Sequence, residues 1–177
     1  MRDALFNRLG ARLPDAAVLD LFAGTGALGL EALAQGARTV VFVERDARLA
    51  AAIRERVRAQ GWSERAQVWR AQVRSALQDL AVEGRRFDLI FLDPPYGRGL
   101  LQGTLDALAA GALIRPGTRI IAEGHWRDEP QTPPGLIRVR AARYGETGVW
   151  EYAGQGEAGG DSEEEASRDD GDLPGEL

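Results

Sequence analysis

The run Phe87-Asp88-Leu89-Ile90-Phe91-Leu92, followed at once by Asp93-Pro94-Pro95-Tyr96, restricts what this chain can fold into more than any other stretch. Large apolar side chains at almost every position leave no solvent-facing set, so the run reads as a strand buried on both faces, as in a parallel sheet covered by helices. Two consecutive prolines cannot continue a strand ladder or a helix. The chain therefore opens into a stiff turn at the carboxyl end of a buried strand, the edge at which open α/β sheets bind ligands.

The rest of the sequence supplies partners for that strand. Residues 2–9 place Leu5, Phe6 and Leu9 on one helical face, and the helix starts so close to Met1 that a shortened N-terminus is expected. Strands are predicted at 17–21, 39–44, 66–70 and 118–123. Helices are predicted at 28–35, 46–60 (capped by Asp46, with Leu49, Ala52, Ile53 and Val57 inward), 75–82 and 100–110. After prolines 130, 133 and 134, residues 136–144 and 148–152 read as an antiparallel hairpin around Gly145-Glu146-Thr147. Strands alternating with helices and closing on a hairpin predict an α/β, doubly wound, mostly parallel sheet with an antiparallel edge. That pattern fits a Rossmann-like methyltransferase sheet better than a dinucleotide domain.

Charge separates the body from the tail. Residues 154–177 hold nine acids and one arginine, whereas residues 1–153 carry a net charge of +3. So few apolar side chains in the tail cannot offset the entropy of ordering it, which predicts one domain at 1–153 and a disordered acidic tail at 154–177. The chain contains no lysine, a pattern that a GC-rich genome explains; its arginines are nonetheless suited to phosphate forks and base stacking. It also lacks cysteine, which removes disulfides and thiolate zinc sites and suits a reducing compartment. No apolar run of about eighteen residues and no leader is visible, so a cytoplasmic protein without membrane association is expected.

The turn Phe22-Ala23-Gly24-Thr25-Gly26-Ala27-Leu28-Gly29 matches the spacing of a dinucleotide fingerprint, and Glu44 stands twenty residues after Gly24, where a carboxylate can accept ribose hydroxyls. An NAD site is one reading. Asp20, at the mouth of the first strand, argues against it, because an anion there repels a pyrophosphate and attracts a cationic aminoacyl group. The preferred reading is therefore a cradle for S-adenosylmethionine, with the turn around the methionine end and Glu44 on the ribose.

Methyl transfer from a sulfonium to an exocyclic amine requires a nitrogen whose lone pair has been drawn out of conjugation. The Asp93 carboxylate and a carbonyl fixed by Pro94 and Pro95 can each accept one N–H of such an amine, while Tyr96 offers a face for the base. An Asp-Pro-Pro tripeptide alone is more often an ordinary turn. Its place beside the glycine turn of the same sheet favours chemistry here.

With Arg2 to Asn7, Leu19 to Ala32, Val43-Glu44, Phe87 to Tyr96 and Arg143 to Thr147, the chain resembles the bacterial 16S ribosomal RNA guanine-N2 methyltransferases over most of residues 2–152. The resemblance implies S-adenosylmethionine as methyl donor, no metal, and a guanine of 16S RNA in the small subunit or an assembly intermediate as target. By position it implies Asp20, Phe22, Ala23, Gly24, Thr25 and Gly26 at the methionine end, and Glu44 with Arg45 at the ribose. It further implies Gln72 with Val73 at the adenine, Asp93 at the cofactor as well as in catalysis, Pro94, Pro95 and Tyr96 as catalytic, and a monomer. The family usually has Asp or Asn where Gln72 stands, and a basic segment before the first helix.

Two alternatives stay open at this stage: an N6-adenine methyltransferase of DNA or RNA, which shares the Asp-Pro-Pro-Tyr motif, and an NAD-dependent oxidoreductase, for which no hydride-site pattern is present. A non-catalytic RNA-binding module is a third. His125, the sole histidine, makes a poor metal site and reads, with Trp126, as surface or rim in a loop. Trp62, Trp69 and Trp150 read as packing residues, and Arg48, Arg54, Arg56 and Arg58 as a solvated helix face.

Overall fold

The computed structural model describes residues 1–97 and 99–156. In chain order the elements are α1 (Arg2–Leu9), β1 (Ala17–Leu21), α2 (Ala27–Ala34), β2 (Thr39–Glu44), α3 (Ala47–Ala59), β3 (Ala66–Arg70), α4 (Val73–Val82), β4 (Leu89–Leu92), α5 (Leu100–Ala110), β5 (Arg119–His125), β6 (Leu136–Tyr144) and β7 (Thr147–Gly154). The strands form one sheet in the order β3-β2-β1-β4-β5-β7-β6. Pairings from β3 to β5 are parallel, and β7 lies antiparallel to both β5 and β6. The predicted doubly wound sheet with its C-terminal hairpin is thus the observed one.

Strand alternation divides the buried side chains between two cores. Leu19, Leu21, Val41, Val43, Ile90 and Leu92 point to one face, where they meet Leu77 and Leu80 of α4 and Leu105 and Leu108 of α5. Val18, Val40, Phe42, Leu89 and Phe91 point to the other, against Leu5, Phe6 and Leu9 of α1, Leu33 of α2, and Ile53 and Val57 of α3. Because β1, β2 and β4 are buried from both sides, their sequences show no polar face, which is why they read as almost continuous apolar runs.

The strand order reverses about β1, whose neighbours are β2 and β4. The crevice at the carboxyl ends of these strands is the switch point at which such sheets bind ligands. Leu21 is level with Val43 on one side and Leu92 on the other, so Phe22, Glu44 and Asp93 emerge at one height along the sheet edge.

Several expected boundaries move. β4 begins at Leu89, because Phe87 and Asp88 bond instead to Leu113 and Ala17 through their backbone N–H groups. α4 begins at Val73, with Gln72 as its N-cap. In α3 the inward residue of the first turn is Ala50, while Ala52 is exposed. β5 runs on to His125, which is level with Thr147 of β7, so His125 is a strand residue rather than a loop residue. Gly154 is the last residue of β7, and the Gln155 N–H donates to Gly135 O at 2.9 Å, so the expected boundary at 154 falls too early. The remainder of the predicted acidic tail, 157–177, lies outside the described residues. Among the described residues no helix is long and apolar enough to cross a membrane.

Candidate active site

The β1–α2 turn is built from left-handed residues at alternate positions: Phe22 at φ 57°, Gly24 at φ 57° and Gly26 at φ 77°. Glycine adopts this conformation freely, but a bulky aromatic does so at a cost of about 1–3 kcal/mol, the kind of strain that collects at functional sites. Two anchors hold the turn. The Ala23 N–H donates to Val43 O at 3.0 Å, and the Gly24 N–H donates to the Glu44 carboxylate at 2.8 Å. The second Glu44 oxygen accepts the Asp46 N–H, also at 2.8 Å. Glu44 is buried, and both of its oxygens are fixed by backbone, so its remaining lone pairs point in set directions.

A cavity of about 1160 Å³ opens from this turn across the sheet edge and down between α4 and α5. It is lined by Phe22, Gly24, Glu44, Arg45, Gln72, Val73, Asp93, Pro94, Pro95 and Tyr96, which brings most of the residues singled out in the sequence to one place. Its floor is apolar, with Leu77, Ala81, Leu100 and Ala107. A methyl group added at Gly24 would meet only Phe22 O, at 3.9 Å, so the protein's own packing leaves the space beside that turn free for a ligand. Size, a carboxylate with spare acceptor capacity and an apolar floor suit a nucleoside carrying a charged aminoacyl arm.

Four expected residues do not line the cavity. Asp20 lies beneath the turn, 2% exposed, and its carboxyl accepts the Gly29 N–H at 3.0 Å. Burial pushes its pKa up to about 8 despite that hydrogen bond, and the nearby Asp93 and Glu44 push the same way. Asp20 therefore anchors α2 from beneath the turn and does not line the cavity. The carboxylates facing the cavity are Glu44 and Asp93, and these two anions disfavour a pyrophosphate there. Ala23 supports the turn through its backbone N–H, Thr25 accepts from the Arg56 guanidinium at 3.3 Å, and Gly26 caps α2 against Ile53.

Asp93 opens toward the cavity while Pro94 is buried, so the turn is clamped at one proline and exposed at the other. Packing around the Asp93 carboxyl pushes its pKa upward. Tyr96 is 56% exposed at the rim, with the His125 ring edge-on at 6.1 Å between centroids. One residue escaped the sequence reading: Glu123, level with Asp93 on β5 because Ala122 is level with Leu92. Burial and the Asp93 charge push Glu123 up to about 7. Its signal was visible, since it is a fourth acid at a predicted strand end after Asp20, Glu44 and Asp93.

Comparison with known proteins gives a consistent picture. A family model described as Conserved hypothetical protein 95 matches residues 1–153. The Bacillus subtilis protein YlbH is 33% identical over 157 residues, 88% of this chain and 85% of that protein. Ribosomal RNA small subunit methyltransferase D of Escherichia coli K12 is 31% identical over 164 residues, 91% of this chain and 81% of its own length. Among solved structures, a conserved hypothetical protein from Streptococcus pyogenes superposes with a TM-score of 0.79 at 31% identity, covering 88% of this chain and 96% of that one.

Proposed function

We propose a function on one premise: the chain belongs to the Conserved hypothetical protein 95 family, and its relatives include ribosomal RNA small subunit methyltransferase D. It transfers a methyl group from S-adenosylmethionine to the exocyclic N2 amine of a guanine in small-subunit ribosomal RNA. The observation that carries this reading is the convergence of the Gly24 turn, Glu44 and the Asp93-Pro94-Pro95-Tyr96 turn on one cavity at the switch point of the sheet.

The geometry supports the following roles. Glu44 accepts the ribose hydroxyls with the lone pairs that Gly24 and Asp46 leave free. Gln72 and Val73, at the start of α4, border the adenine, and Phe22 and Gly24 border the aminoacyl arm. When bound, the donor supplies an electrophilic methyl on a sulfonium. The Asp93 carboxylate and the Pro94 carbonyl each accept one N–H of the target amine, which turns the nitrogen lone pair toward the methyl, and the Asp93 carboxylate takes up the proton that the nitrogen sheds on methylation. Two prolines keep that carbonyl in place, and Tyr96 stacks on the base once it has left its helix. Near-attack alignment of this kind contributes several kcal/mol to rate without a strong base.

The partner is an unmodified small subunit or an assembly intermediate, which sets the enzyme to work in the cytoplasm, as a monomer. Tritium transfer from labelled donor to small subunits lacking the modification, followed by mapping of the labelled base, tests the proposal. Label on a guanine N2 supports it. Label on adenine, or none in the presence of tight S-adenosylhomocysteine binding, overturns it.

A further inference from the structure

From Tyr96, at the rim of the cavity, a row of rings runs outward onto residues that do not line it. Tyr96 meets the edge of His125, and His125 is followed by Trp126 at 6.2 Å with the ring planes 28° apart. The Arg143 guanidinium sits over the Trp126 ring at 3.7 Å from its centroid, and that of Arg127 at 5.2 Å. This row crosses from the end of β5 to the tip of the β6–β7 hairpin. Its parts are fixed to each other: the Trp126 N–H donates to Glu146 O at 2.9 Å, and Arg143 Nε donates to Gly145 O at 2.7 Å.

Charge makes the row more than packing. Among the described residues neither Arg127 nor Arg143 forms an ion pair, and the nearby Glu146 carboxylate lies instead 3.6 Å from His125 Nε2. With Nε tied to a carbonyl and its flat face on an indole, Arg143 keeps its terminal N–H groups for an outside acceptor. A stacked, oriented guanidinium is a preformed fork for a phosphate, and it gives up less side-chain freedom on binding than a free arginine or lysine. Rings in line with it, exposed at Tyr96 and half-buried at His125 and Trp126, suit single-stranded, splayed nucleotides.

We propose that Arg143 stacked on Trp126 is a second RNA contact, which grips the backbone phosphate next to the methylated nucleotide and so feeds the target base onto Tyr96. Arg127 adds a second positive charge to the same phosphate site, and His125 sets the spacing between this grip and Tyr96. This inference rests on the RNA methyltransferase reading and adds to it a named site for the flanking strand.

The test uses the full chain with Arg143→Ala, Arg143→Lys and Trp126→Ala, and small ribosomal subunits isolated from cells lacking the modification. Three quantities are read: affinity for subunits across a salt series, KM and kcat for methyl transfer, and affinity for S-adenosylhomocysteine. Arg143→Ala is expected to raise subunit Kd and KM about tenfold and to make the salt slope shallower by about 0.7, the loss of one single-strand phosphate contact. Affinity for S-adenosylhomocysteine stays unchanged, because Arg143 does not line the cavity. Arg143→Lys keeps the slope and loses part of the affinity, because the charge remains and the fork does not. Arg143 is on the surface, so these two variants keep the test valid should Trp126→Ala fold poorly. Unchanged subunit affinity and slope in Arg143→Ala overturn the proposal, as does an equal loss of S-adenosylhomocysteine binding. Failure of the unaltered protein to bind S-adenosylhomocysteine overturns the methyltransferase reading instead, and the slope difference still decides whether Arg143 touches RNA.

Discussion

The backbone N–H of Gly24 and the carboxylate of Glu44 are joined by a 2.8 Å hydrogen bond, which locks the glycine turn to the end of the neighbouring strand. The same carboxylate also accepts the Asp46 N–H and so couples the turn to the start of α3.

Replacing Glu44 by Gln leaves one oxygen for two N–H donors and turns an amide N–H₂ toward one of them. Leaving a buried donor unpaired costs about 1–3 kcal/mol. Glu44→Gln is expected to lower unfolding free energy by that amount and to weaken S-adenosylhomocysteine about tenfold. Urea denaturation and calorimetric titration read the two effects separately.

Asp93 faces the cavity without being an anchor of the fold. Asp93→Ala is therefore expected to reduce single-turnover methyl transfer by at least about a hundredfold, while S-adenosylhomocysteine affinity stays within about twofold of the original. Asp93→Asn, which retains one acceptor oxygen, should recover part of the rate. A large loss of cofactor affinity in either variant would assign Asp93 to donor binding instead.

Gly29 has no room for a side chain. A methyl group there would stand 2.3 Å from Phe42 Cε1 and 3.0 Å from Asp20 Oδ2, and Phe42 is fully buried. Gly29→Ala is expected to destabilise the fold by about 1–3 kcal/mol through overpacking. The double variant with Phe42→Leu should regain part of that loss, which equilibrium denaturation of the pair would detect as non-additivity.

Asp20 imposes a pH dependence on stability. Its carboxyl titrates near 3.8 when unfolded and at about 8 when folded, so across that window the folded chain holds more protons than the unfolded one. Stability accordingly falls as pH rises from about 4 to about 8 and levels off above. Asp20→Asn removes this contribution while keeping an oxygen for the Gly29 N–H. Its melting temperature should change less between pH 5 and pH 8 than that of the unaltered protein; equal slopes in differential scanning calorimetry would refute the assignment.

The sequence revealed strands more reliably than directions. Apolar runs located β1, β2 and β4, but a strand buried on both faces has no polar set to show which way one acid points. Asp20 shares its face with Val18, beneath α2, and that parity was invisible until α2 was in place. The residues around His125 read as a loop because its strand pairing depends on Thr147, a partner more than twenty residues away. The inward residue of the first turn of α3 depends on the angle at which that helix meets the sheet, which its own residues do not set; hence Ala50 and not Ala52. Pairings of motif with motif fared better: the Gly24 turn, Glu44 and Asp93 to Tyr96 lie along one edge because strand order alone brings them there.

β7, the last strand among the described residues, is an interior strand of the sheet, wedged between β5 and β6. During synthesis the cofactor half, from β1 to β4, can assemble early from neighbouring segments. β5 meanwhile presents a bare edge until Gly154 has left the ribosome, and such edges invite pairing with other chains. Closing that edge also delivers Arg143 and Glu146 to the end of β5, so the grip proposed for RNA is the last part of the enzyme to form. A nascent chain can therefore acquire its donor site before it can engage the RNA it modifies.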